Sequence, residues 1–362
     1  MSQAMRPIQF QATREWLSRG SQRWVSSATI PASSPYLFRR AVSRKDILST
    51  RRDLSNGQAF SSSTRVAAQQ PTIHNVFEPV TGTWQFVVSD PSSRAAVIID
   101  PVLDYDPATQ SITTASSDKL LALIEEKGYI IERILETHAH ADHLTSASYL
   151  QKKLSQHQNF KPPIGIGKRI KKVQNLFGKR YGVARGEYEA VFDNLFEDDE
   201  TFQIGSVTAK AIHLPGHTPD HLGYHIGDNV FCGDSLFHAD IGTARCDFPG
   251  GNANDLFQSS RKLLSLGDHV KIWPGHDYPP DGRDPIPWLS VADHREQNKH
   301  VRDTVSEEEF VALRTERDGK LNAPRLLHQS LQINIRAGRL PAPLESGHRL
   351  LHLPLKLNDL DW

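Results

Sequence analysis

Apolar residues first fall into a regular pattern near Ile73, and from there short apolar runs alternate with Pro, Gly, Asp and Ser. Trp84-Gln85-Phe86-Val87-Val88 and Ala95-Ala96-Val97-Ile98-Ile99 read as strands flanking the turn signal Asp90-Pro91-Ser92-Ser93. The second run stops at Asp100-Pro101, because proline lacks the backbone donor a buried strand needs. The segment 118–127 (DKLLALIEEK) is amphipathic with a helical period, with Ser117 or Asp118 as its cap and Gly128 as its stop. A strand over 130–136 follows, then helical periodicity from Leu144 to Leu154, a strand near Ile164 and a helix over 168–177. The pattern next predicts strands at 202–204, 208–214, 222–226 and 230–232, a helix over 253–266 and a last strand at 270–273. In the tail, 307–320 reads as a helix with Ser306 and Glu309 as a capping box. A further helix is expected over 325–336. Strands first, then strands and helices intermixed, predict a layered α/β sandwich with mixed sheets inside and helices outside. Loops at the strand ends, along one sheet edge, are then the place for chemistry.

Charge changes the picture at the N-terminus. Residues 1–70 carry ten Arg and one Lys against Glu15, Asp46 and Asp53, and are rich in Ser and Gln. An Arg-rich, acid-poor leader of this kind reads as a mitochondrial transit peptide, which places the mature chain in the mitochondrial matrix, with a disordered basic tail as the alternative reading. Removing the leader's eleven basic and three acidic residues from the 42 of each sign leaves 31 against 39, an acidic remainder that argues against a nucleic-acid partner. No apolar run approaches the roughly 18 residues that cross a bilayer, so no membrane span is expected. With only Cys232 and Cys246, disulfides are not the source of stability.

Chemistry concentrates in His138-Ala139-His140-Ala141-Asp142-His143. Imidazoles at i and i+2 on extended chain point the same way, so His138 and His140 can reach one ion. Asp142 and His143, where the chain turns into the expected helix, can face a second. Four donors within six residues exceed what one ion takes with good geometry, which implies two adjacent metals or one metal with supporting groups. His217, Asp234 and His276 each follow a predicted strand in a Gly- or Pro-containing loop. Taken singly, each is one imidazole among 17 or a turn carboxylate; the dense block is what makes them candidate ligands. Cys232 reads as a small buried residue.

In order and type these residues resemble the metallo-β-lactamase superfamily, whose pattern is His-x-His-x-Asp-His, then His, Asp and His. The resemblance spans Phe77 to Tyr278 and implies an α/β, αββα four-layer sandwich, here with a helical C-terminal extension. The organisation it suggests is a leader (1–70), a catalytic domain (71–280) and an extension packed on it (281–362). In the superfamily's dinuclear hydrolases one metal takes the matches of His138, His140 and His217. The other takes those of Asp142, His143 and His276, with that of Asp234 bridging. The common class B β-lactamases carry Cys where Asp234 stands, so antibiotic hydrolysis is not expected.

Within the superfamily the chain looks similar to the glyoxalase II and persulfide dioxygenase branch. Gly242-Thr243-Ala244-Arg245-Cys246-Asp247-Phe248-Pro249-Gly250-Gly251 resembles the dioxygenase loop, and glyoxalase II carries a different segment there. The resemblance implies one Fe(II) per chain held by His138, His217 and Asp234, two imidazoles and a carboxylate that leave three adjacent positions open. His140, Asp142, His143 and His276 then support these ligands by hydrogen bonds. The implied reaction converts glutathione persulfide and O2 to sulfite and glutathione. Asp142 and Tyr278 are the catalytic candidates, with Arg245 and Tyr278 as substrate contacts. A guanidinium suits a glutathione carboxylate, and an ion pair with Asp247 is the competing reading of Arg245. The alternative is a hydroxyacylglutathione hydrolase with two Zn2+, and a third reading is a non-catalytic metal- or thiol-binding relative. Relatives of this kind suggest a homodimer.

Overall fold

The computed structural model describes residues 69–355 and 357. The leader reading over 1–70 therefore falls almost wholly outside the described residues. Strands β1 (Thr72–Glu78), β2 (Thr83–Ser89) and β3 (Ala95–Ile99) form an antiparallel meander. After β4 (Val102–Asp106), β5 (Ser111–Thr113) and α1 (Ala115–Lys127), β6 (Ile130–Leu135) joins β3 in parallel. The chain continues through β7 (Leu144–Thr145), α2 (Ala147–His157), β8 (Ile164–Gly167), α3 (Ile170–Arg180), α4 (Arg185–Tyr188) and β9 (Asn194–Phe196). These complete a six-stranded sheet ordered β1-β2-β3-β6-β8-β9.

The second sheet takes β10 (Thr201–Ile204), β11 (Val207–His213), β12 (Leu222–Ile226) and β13 (Asn229–Gly233). After α5 (Ala253–Leu264) it adds β14 (Lys271–Pro274) and β15 (Leu289–Ser290), and it is six-stranded in chain order. The extension supplies α6 (Val291–Gln297), α7 (Glu307–Asp318) and α8 (Leu327–Asn334).

Alternation along the strands makes the layers. Val87 and Ile98 pack towards α1, α2 and α3, whereas Phe86, Val88, Val97 and Ile99 face the opposite sheet. In the second sheet Phe231 and Tyr224 meet that inner core, and Val230 and Cys232 turn outwards to Leu256, Leu263 and Phe310 on α5 and α7. The order is helix, sheet, sheet, helix, as the resemblance implies.

Local differences have local causes. Helix α1 starts at Ala115, and its N-cap is Thr114 rather than Ser117 or Asp118; Ser117 Oγ instead bonds Val102 O at 2.9 Å. The helix expected from Leu144 begins only at Ala147, because Leu144 and Thr145 pair with Leu103 and Val102. Asp142 and His143 thus lie in a loop, not at a helix start. The capping box of α7 is present, with Ser306 and Glu309 bonding reciprocally. The last predicted helix is α8, and α6 has no counterpart in the sequence reading. Among the described residues no helix is long and apolar enough to cross a membrane.

Where the strands end, the two sheets are tied together. Trp84 N donates to Gly275 O, Leu222 N to Thr137 O and Tyr224 Oη to Glu136 O, each at 2.8 Å.

Candidate metal centre

The tied edge carries the predicted ligands. His138, His140, Asp142 and His143 lie on the loop after β6, His217 after β11, Asp234 after β13 and His276 after β14. His138, His140, His143 and His276 are at most 1% exposed. Three groups form: His138 with His217 and Asp234, His140 with Asp142, His143 and His276, and His140 again with Asp100 and Glu136. Within each, the donor atoms lie within 4.8 Å of one another.

The hydrogen bonds around the site fix which nitrogen of each ring is free. Thr137 Oγ1 donates to Asp100 Oδ2 at 2.8 Å, so it accepts from His138 Nδ1 at 3.0 Å. His138 Nε2, buried, has no protein partner. Arg245 O accepts from His217 Nδ1 at 2.8 Å, leaving Nε2 at 3.6 Å from Asp234 Oδ2. Thr81 Oγ1 donates to Glu78, Thr83 Oγ1 to Thr81, and His276 Nδ1 to Thr83 at 3.2 Å. That relay leaves His276 Nε2 as a lone pair 3.1 Å from Asp142 Oδ2. His143 Nδ1 bonds Leu144 O, and His140 Nε2 lies between Asp100 at 3.1 Å and Glu136 at 3.3 Å. The inner nitrogens, His143 Nε2 and His140 Nδ1, are unpartnered. Outer nitrogens bound to carboxylates, carbonyls or hydroxyls, with inner lone pairs converging, are what metal-ligating imidazoles require. The donor set therefore fits a metal.

Electrostatics favour neutral donors at His138 and His143 and a proton on His140, which a metal at Nδ1 would displace. Burial, then the neighbouring imidazoles of His140, His221 and His217, hold His138 well below its ordinary pKa, so it is a neutral donor. Burial and His140 bring His143 down to about 3. Burial opposes charge on His140, yet Asp100 and then Glu136 raise it well above the usual value. Burial also disfavours ionised Asp142, but positive charge at His276, His143 and His140, which a metal would supply in place of protons, outweighs it and brings the carboxyl to about 2.

The chain around the centre is arranged to hold it. Asp100, with φ 49°, interrupts the strand so that its carboxylate bonds Thr137 N at 2.7 Å. His221 Nε2 accepts from Asp234 N at 2.9 Å and its ring stacks on His138. Gly233 must be glycine, since a Cβ would sit 2.6 Å from Thr137 Oγ1 and 2.8 Å from His221 Nε2. The sequence reading did not find Asp100, Glu136, Thr83 or His221. Only Asp100 carried a local signal, a carboxylate between a strand and a proline.

A cavity of about 390 Å3 opens on the centre, reaching Asp142, His217, Asp234 and Tyr278. Tyr278 stacks on His276 with centroids 5.5 Å apart and planes at 9°. Four arginines line this cavity, Arg245, Arg314, Arg317 and Arg325. Arg245 lines the cavity, but its guanidinium is engaged by neighbouring groups of the chain. Its Nε and Nη2 bond the two Asp247 oxygens at 2.5 Å, and Nη1 donates to Asn322 O at 2.8 Å. The bidentate pair is a strong charge-assisted contact, so a ligand must compete with Asp247 for this guanidinium. Arg314 is likewise paired with Asp318. Among the described residues neither Arg317 nor Arg325 has a carboxylate within ion-pair distance. Cys246, beside this loop, is buried, which raises its thiol pKa to about 12. Arg295, on α6, pairs with Asp268 and Asp303.

A sequence profile described as the metallo-beta-lactamase superfamily matches residues 79–276. The chain belongs to that superfamily. A probable metallo-hydrolase of Burkholderia pseudomallei (strain 1710b) is 41% identical over 296 residues, 78% of this chain and 99% of that protein. The mitochondrial persulfide dioxygenase ETHE1 of Homo sapiens is 29% identical over 256 residues, 70% of this chain and 82% of that one. The crystal structure of ETHE1 from Myxococcus xanthus, 26% identical, aligns with a TM-score of 0.58 over 74% of this chain and all (100%) of that chain. The His/Asp cluster built here could hold a metal. The chain is an enzyme of hydrolase or dioxygenase type.

Proposed function

We propose that this superfamily member is a persulfide dioxygenase that converts glutathione persulfide, O2 and water to glutathione and sulfite. The reading is carried by the His138–His217–Asp234 group, two imidazoles and one carboxylate at the floor of a cavity that keeps uncompensated arginines. When bound there, Fe(II) supplies adjacent open positions for a sulfur anion and for O2. The chain does the rest. His138 Nε2, His217 Nε2 and Asp234 would hold the ion, and the packed cavity brings both reactants together out of bulk water. Asp142, ionised, accepts a hydrogen bond from a thiol or water in the cavity. Tyr278, stacked on His276, forms the wall against which the thiol lies. Arg317 and Arg325 suit the carboxylates of a glutathione-type peptide. The likeness to a persulfide dioxygenase supports this reading.

The alternative is a dinuclear zinc hydrolase acting on glutathione thioesters. One observation favours it, since His140 Nδ1, His143 Nε2 and His276 Nε2 are also buried and unpartnered. The 41% identity with a probable metallo-hydrolase is compatible with either chemistry.

Metal analysis of anaerobically purified protein, followed by O2 uptake on glutathione persulfide, separates the two. One iron per chain with O2 consumption is expected, and His217→Ala loses both. Two zincs with thioester cleavage and no O2 uptake overturn the dioxygenase reading.

A further inference from the structure

The extension touches the metal loop through one buried side chain. Asn334, the last residue of α8, donates from Nδ2 to His140 O and to His143 O, each at 2.8 Å. Its Oδ1 accepts from Thr145 N at 2.8 Å. A carboxamide has two N–H donors, so both are committed to the loop. The loop from 140 to 143 is irregular and runs into the two-residue β7, so buried backbone groups along it need partners from outside. Asn334 supplies three.

Helix α8 is itself anchored against the frame. Gln174 Nε2 on α3 donates to Ile335 O at 3.0 Å. Just beyond, Gly338 has φ +79° and a Cβ there would lie 2.9 Å from Thr145 O and 3.1 Å from Ser148 N. The extension therefore approaches the start of α2 backbone to backbone, and Asn334 reaches the loop from a fixed base.

We propose that Asn334 is a positioning residue for the metal centre. By holding the carbonyls of His140 and His143 it sets the loop that aims His140 Nδ1 and His143 Nε2 inwards, and so tunes how the centre holds its ion. The inference rests on the metal reading above but not on which metal or reaction applies.

Co2+ titration of the metal-free chain tests it, read by the visible absorption of the bound ion. The parent protein is measured first, and failure to bind Co2+ counts against the metal reading itself. Asn334→Asp keeps the shape but sets a carboxylate oxygen against two carbonyls. It is expected to weaken Co2+ binding at least tenfold and to shift the absorption bands. Gln332→Ala is the control, since Gln332 on the same helix also makes three bonds, to His328 O, His352 O and His352 N, and none to the metal loop. It is expected to lower the melting temperature while leaving the Co2+ spectrum unchanged. Where the aspartate variant does not fold, Asn334→Ser, which keeps a single donor, is expected to show an intermediate shift. An Asn334 variant whose spectrum and Co2+ affinity match the parent, or change no more than those of Gln332→Ala, overturns the proposal.

Discussion

Each imidazole at the centre is fixed by what its outer nitrogen touches, and the same logic reaches residues that never see the metal. His300 accepts from Thr243 N through Nδ1 at 3.0 Å, so its folded form is neutral. Burial, then the charges of Arg314, Lys299 and Arg317, bring its pKa down to about 3. An unfolded histidine protonates near 6.5, so between these values the unfolded chain binds the extra proton. Stability from this group is complete above about pH 6.5 and is lost as pH falls towards 3, with a slope of up to about 1.4 kcal/mol per pH unit. Denaturation midpoints between pH 7.5 and 4 should fall less steeply in His300→Gln, whose amide oxygen can take over the Thr243 bond. Equal slopes in both proteins refute the assignment. The candidate ligands were legible from sequence because four donors in six residues have little structural use. Asp100, Thr83 and Asn334 were not, because their partners lie far along the chain and only the folded sandwich brings them near.

At the level of elements, the loop that presents His217 is defined by a glycine. Gly216 has φ +132°, and a Cβ there would lie 2.3 Å from Leu256 N and 2.4 Å from Leu256 Cα. Backbone cannot yield as a side chain does, so Gly216→Ala must push the start of α5 away or move His217. Backbone strain of this type costs about 1–3 kcal/mol, and metal affinity should fall with it. A variant that melts and binds metal like the parent shows that the loop can relax. Strand and helix identities were largely readable because alternation and amphipathic period are local signals. Strand β7 was missed because 144–154 keeps a helical period throughout, and only pairing with β4 pulls out its first two residues. The tail was least legible, since α6 is seven residues long and its role depends on what it packs against.

For the whole molecule, the residues from 69 onwards supply the sandwich, the centre and the extension. We read residues 1–70 as a leader directing the chain to the mitochondrial matrix. A chain beginning at Gln69 should keep the metal content and melting temperature of the full chain and lose uptake by isolated mitochondria. Uptake that persists without residues 1–68 refutes that assignment. The edge where the two sheets meet has a mechanical meaning as well. Its donors come from loops of both sheets, so a bound ion adds a rivet to a seam already stitched by hydrogen bonds. Because an ion held only by the folded chain stabilises it by mass action, about 4 kcal/mol accrues when free metal exceeds the dissociation constant a thousandfold. A chelator therefore loosens the sandwich from that edge first, and the order of unfolding depends on the metal supply around the protein.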